Sequence, residues 1–128
     1  MNKKSILLSK SDYKFLNTHL EKSALSTYNK EKLMAEIKEA TVFNDDELPE
    51  DVVCLNTEAK IINTDNKQEF TFKIVEPSMA DIKSQKVSVF APISIALFGY
   101  QTGDIINWEM PDGIKEFKIL SVKKLVTV

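Results

Sequence analysis

The hydrophobic period of this chain changes once, and the change falls on one acidic stretch. Before "NDDELPED" (Asn44 to Asp51) apolar residues recur at three- and four-residue spacing; after it they alternate. The first period belongs to a helix with one buried face, the second to a half-buried strand. Helices gathered at the front and strands behind predict an α+β fold. The expected division is a helical arm over residues 1–47 and a β-rich domain over 48–128.

Within the arm, Ser9 and Asp12 resemble a capping box with Asp in place of the usual Glu. They open a segment in which Phe15, Leu16, His19 and Leu20 fall at helical spacing. "SALSTYN" (Ser23 to Asn29) interrupts it, and Asn29 is read as the cap of a second helix with Leu33, Met34 and Ile37 as its apolar stripe. Two amphipathic segments joined by a short polar turn predict a short antiparallel helical hairpin, a stubby coiled coil with Ser26, Thr27 and Tyr28 at its tip. Arms of about 13 residues would reach roughly 20 Å. The join carries four Asp and Glu side chains, five with Asp51, and Pro49 disfavours helix at Leu48. It is expected to be a hydrated linker.

Beyond Val52, the residues Val53, Leu55, Ala59 and Ile61 make an interrupted alternation, "NTDNK" is a turn, and Phe70, Phe72 and Ile74 alternate cleanly. "PSMADIKSQ" reads as a loop and Val87 to Phe90 as a strand. Pro92 suits the first turn of a short helix and Gly99 the left-handed residue that ends it. Gly103-Asp104 turns the chain into Ile106, Trp108 and Met110; Asp112-Gly113 signals a hairpin, and Phe117 with Ile119 continues the last strand. Four or five mainly antiparallel strands with one short helix are expected.

Groups able to carry chemistry are few. His19 is the sole histidine and lies on the apolar stripe, where it reads as packed or capping rather than as a base. Cys54 has no basic neighbour in sequence and reads as a small hydrophobe. The three glycines all have turn roles, so no phosphate-cradling loop can be drawn. Trp108 reads as a core aromatic and Lys123-Lys124 as a solvated strand edge. A net charge of -2 speaks against strong nucleic-acid backbone binding. The opening "MNKKSILLSK" has too short an apolar run for a signal-peptide core, so the expected setting is soluble and cytoplasmic. The chain is expected to be a binding protein with no catalytic residue, cofactor or metal of its own.

The run "KVSVFAPISIALFGYQTGDIINWEMPDGIKEFKILSV" resembles the C-terminal domain of the GreA/GreB transcript cleavage factors, and "NTEAKIINTDNKQEFTFKIVEP" resembles that family's first hairpin. The whole chain also resembles the family's short type, the regulator of nucleoside diphosphate kinase (Rnk). The resemblance implies an FKBP-like C-terminal fold that grips the large subunit of bacterial RNA polymerase at the rim of its secondary channel. It assigns the contact to Phe90, Ala91 and Pro92, where Ala91 replaces the family's Ser. Phe90 is open to two readings, an outward-facing anchor or a residue packed beneath the helical arm. In the longer relatives an acidic coiled-coil tip helps hold the polymerase's Mg²⁺; "SALSTYN" contains no Asp or Glu. Binding without stimulation of transcript cleavage is therefore expected. Two alternatives are regulation of a nucleotide enzyme such as nucleoside diphosphate kinase, and an FKBP-like peptide-binding module with an aromatic cavity.

Overall fold

The computed structural model describes residues 5–20 and 25–125. In chain order the elements are β1 (Leu7–Ser9), α1 (Lys10–His19), α2 (Thr27–Lys38), β2 (Thr41–Phe43), β3 (Thr57–Asn63), β4 (Glu69–Val75), β5 (Lys86–Ser88), α3 (Pro92–Leu97), β6 (Ile105–Met110) and β7 (Gly113–Lys124). The loop between β4 and β5 holds two single 3₁₀ turns, Pro77–Met79 and Ile82–Ser84. Five strands form one sheet in the order β5-β4-β3-β7-β6, antiparallel except for the β4–β5 pair. This is the α+β class that the change of period predicts.

Local chemistry explains the ends of the elements. Ser9 caps α1 by accepting the N–H of Asp12 at 3.1 Å. Pro92 opens α3, and Gly99 at φ +85° follows its last turn. Met110 pairs with Gly113, so the hairpin loop is Pro111-Asp112 and Gly113, at φ +126°, opens β7. The predicted strand Val87 to Phe90 is shorter than expected. It ends at Ser88, whose hydroxyl takes the Phe90 N–H and whose carbonyl takes the Ala91 N–H, bending the chain into α3.

Two other expectations are corrected. The cap of α2 is Ser26, which accepts the Asn29 N–H at 3.2 Å. Asn29 lies inside the first turn, with its side chain turned to another task, and Thr27 and Tyr28 are helical rather than part of the connecting turn. Ser23 and Ala24, which open the expected turn, lie outside the described residues. The acidic join is exposed as foreseen, yet it is not free. Asp45 accepts both the backbone N–H and the hydroxyl of Ser11, placing a carboxylate at the N-terminal turn of α1, where the helix dipole favours it.

One strand pair had no signal in the sequence. β1 runs parallel to β2, and its three-residue length is too short to show a period. β1 carries Leu8 into the core beside Ile6, with Leu16, Leu33 and Ile37 from the helices and Ile61, Ile95, Phe98 and Ile119 from the later elements. One apolar core therefore crosses the join between residues 47 and 48. Gly99 makes the approach possible: it accepts the Leu7 N–H at 2.9 Å, and a Cβ there would sit 3.0 Å from the Ile6 Cβ and 3.1 Å from the Leu7 carbonyl oxygen. Gly99→Ala adds this clash to a left-handed backbone and is expected to cost about 3 kcal/mol, read as a lowered urea midpoint in equilibrium unfolding.

Candidate functional site

The corner Phe90-Ala91-Pro92 joins the short edge strand β5 to α3. Its backbone is held by the two Ser88 bonds, and the buried Ser94 hydroxyl donates to the Ser88 carbonyl at 2.7 Å. Ala91 occupies the cap position of α3 and offers no side-chain oxygen to the helix N–H groups. Phe90 is packed on one side and exposed on the other. Its ring lies 5.5 Å from Phe15 and 5.0 Å from His19, edge-on to the imidazole, and Phe15 in turn contacts the buried Phe98. Even so, 48% of Phe90 stays exposed. A large ring braced on one side and open on the other, beside a proline, is the form of an interface anchor. His19 packs on Phe15 at 4.7 Å, as the stripe position implied.

The second predicted group, Ser26, Thr27 and Tyr28, is not far from the first. Ser26 and Pro92 line the same open cleft of about 660 Å³, which Trp108 and Met110 also line. The start of α2 therefore lies on the sheet-bearing half instead of projecting from it. Two polar ties hold the helix there. The buried Asn29 amide donates to the Glu109 carbonyl at 3.0 Å and accepts the Glu109 N–H at 2.8 Å. Near the other end the Tyr100 hydroxyl donates to the Glu36 carboxylate, and Lys32 reaches both Glu36 at 2.8 Å and the Tyr100 oxygen at 3.2 Å. Burial, with the Glu36 carboxylate alongside, pushes the Tyr100 phenol far up, so it stays a donor at any working pH. These ties were missed at the sequence level, because Lys32 and Glu36 on a polar helix face look solvated, and Asn29 looks like a cap, until Tyr100 and the β6 edge arrive beside them.

Trp108 is a core residue, 7% exposed. It also borders an apolar cavity of about 80 Å³ with Phe70, Phe72 and Phe117. That is about half of the ~150 Å³ that admits a benzene ring, which leaves little room for a peptide's prolyl ring. Cys54 is half-buried, and its thiol is pushed up from near 9 to about 11, chiefly by burial, with the Asp12 charge adding and Lys124 opposing. Around the N-terminus of α1, burial raises the Asp12 carboxyl, whereas hydrogen bonds from Ser11 hold that of Asp45 down.

The geometry of the C-terminal half has counterparts. Residues 48–124 match the family model "Transcription elongation factor, GreA/GreB, C-term". The chain belongs to the GreA/GreB family. Its similarity to the transcription elongation factor GreA of Clostridium botulinum is 33% identity over 73% of this chain, which spans 58% of that longer protein. It is 30% identical to the regulator of nucleoside diphosphate kinase of Escherichia coli, over 89% of this chain and 85% of that protein. Among solved structures, a GreA/GreB elongation factor from Nitrosomonas europaea matches 94% of this chain and 99% of its own, with a TM-score of 0.66 and 30% identity.

These relatives are named as transcription factors and regulators, and the thiol of Cys54 fits no nucleophilic role. With a value near 11, about one thiol in a thousand is ionised at pH 8. Its reaction with a disulfide reagent at pH 8 is expected to be at least ~100-fold slower in the folded protein than in urea, measured by absorbance of the released thiolate.

Proposed function

We propose that this protein docks on bacterial RNA polymerase, at the rim of the secondary channel, through the Phe90-Ala91-Pro92 corner, and regulates transcription without stimulating transcript cleavage. The reading takes the C-terminal half as an FKBP-like grip, the helices as a short hairpin arm, and the cytoplasm as the place of action. The observation that carries it is the half-exposed, braced Phe90 on a rigid turn in a chain of the GreA/GreB family. The division at residues 47 and 48 is then one of role, since the core is shared.

Absence of cleavage stimulation rests on two further features. α1 and α2 hold 10 and 12 residues, so neither shaft exceeds roughly 18 Å. The described start of α2 presents Ser26, Thr27 and Tyr28, none of them a carboxylate suited to a hard divalent cation. An effect on transcription then arises by occupying the rim, in competition with longer factors.

A second reading is favoured by the match to the Escherichia coli protein, which extends over nearly the whole chain: a protein-level regulator of nucleoside diphosphate kinase. Co-sedimentation separates the two. The first reading expects retention on core RNA polymerase, reduced at least ~10-fold in affinity by Phe90→Ala, a loss of about 1.4 kcal/mol at the anchor. Stalled elongation complexes mixed with the protein should keep their transcript length. Prompt shortening of the RNA would remove the non-cleaving part of the proposal. Retention on the kinase and not on polymerase would replace it with the second.

A further inference from the structure

We propose that Asn29 guards the β6 edge of the sheet, standing in for a neighbouring strand and preventing β6 from pairing with the β6 of a second copy. Among the described residues, β6 is the terminal strand of the order β5-β4-β3-β7-β6, with β7 on one side only. Its backbone groups alternate. Asp104 accepts the Ile119 N–H, so Ile106, Trp108 and Met110 turn their peptide groups toward β7, and Ile105, Asn107 and Glu109 turn theirs outward. A row of outward N–H and C=O groups is a template for another strand.

Asn29 occupies that template at Glu109. Its amide gives one donor to the Glu109 carbonyl at 3.0 Å and takes the Glu109 N–H at 2.8 Å, the two bonds an adjoining strand residue would make. The side chain is buried, and both of its polar atoms are bonded. Its freedom to do this comes from Ser26. In a reciprocal capping box, the third helical residue reaches back to the cap; here the Ser26 hydroxyl takes the Asn29 N–H, while the Asn29 side chain turns away to the strand. Asp in its place could accept but not donate, and Leu could do neither.

With Glu109 filled, only Ile105 and Asn107 keep outward groups open among the described residues, too short a stretch for a stable pair. Without the amide, the outward face lengthens to Ile105–Glu109, enough for an antiparallel pair of β6 strands centred on Asn107 about a two-fold axis, turning two five-stranded sheets into one of ten. The exposed Ile105 would lie at both ends of that seam.

Two measurements test this on the whole chain. In the unmodified protein, backbone amide exchange followed by NMR should show Glu109 protected at least 100-fold more than Asn107, although both face the same edge. Equal exchange would overturn the proposal without any variant being made. In sedimentation, Asn29→Ala is expected to give a concentration-dependent dimer where the parent sediments as a single smaller species. Asn29→Ala combined with Asn107→Pro, a residue that an edge strand accepts and an added strand does not, should reverse it. Tyr100→Phe, which cuts the other tie of α2 and leaves the edge covered, should sediment like the parent. A dimer with Tyr100→Phe, or none with Asn29→Ala, would overturn the guard role.

Discussion

Three stretches of chain distant in sequence meet on the backbone of one glycine. The N–H of Gly99 bonds the Val53 carbonyl at 3.0 Å, and its carbonyl takes the Leu7 N–H at 2.9 Å. The Leu7 bond holds Ile6 and Leu8 within 3.0 Å of where a Cβ would sit, tighter than a side chain ordinarily allows. The consequence runs through the molecule. β1 is drawn onto the end of α3, Ile6 and Leu8 enter the core, and α1 leaves β1 with Phe15 directed at Phe98 and Phe90. The corner proposed to meet polymerase is thereby braced by the N-terminal segment rather than by the sheet alone.

The same arrangement changes what the helices can do. A coiled coil that projects from a domain can carry chemical groups to a distant place. Here α2 is joined to β6 near one end and to Tyr100 near the other, by hydrogen bonds whose polar atoms are largely shielded from water. Breaking them would leave buried donors and acceptors unsatisfied, so the helix and the sheet are expected to act as one body. This agrees with a regulator that occupies a surface, and it sits poorly with one that reaches an active site.

How much of this was legible depended on the range of the interaction. The cap at Ser9, Pro92 opening α3, Gly99 closing it and the strands around Phe72, Trp108 and Ile119 are local matters of periodicity and capping, and they stand as read. Asn29 was assigned as a cap because Asn is a good one, but Ser26 three residues earlier is as good, and only the presence of Glu109 decides between them. Phe90 could not be assigned to surface or interior from alternation, because its strand ends at Ser88 and the residue lies on a turn.

By itself the sequence determined the class of fold, the family and the thin inventory of reactive groups, since composition, period and motif order are all properties of short windows. Tertiary structure alone decided where the helices lie, that β1 and β2 pair, and that a helix asparagine closes a sheet edge. Each of those depends on contacts between residues tens of positions apart, as with Asn29 and Glu109, which no local preference encodes.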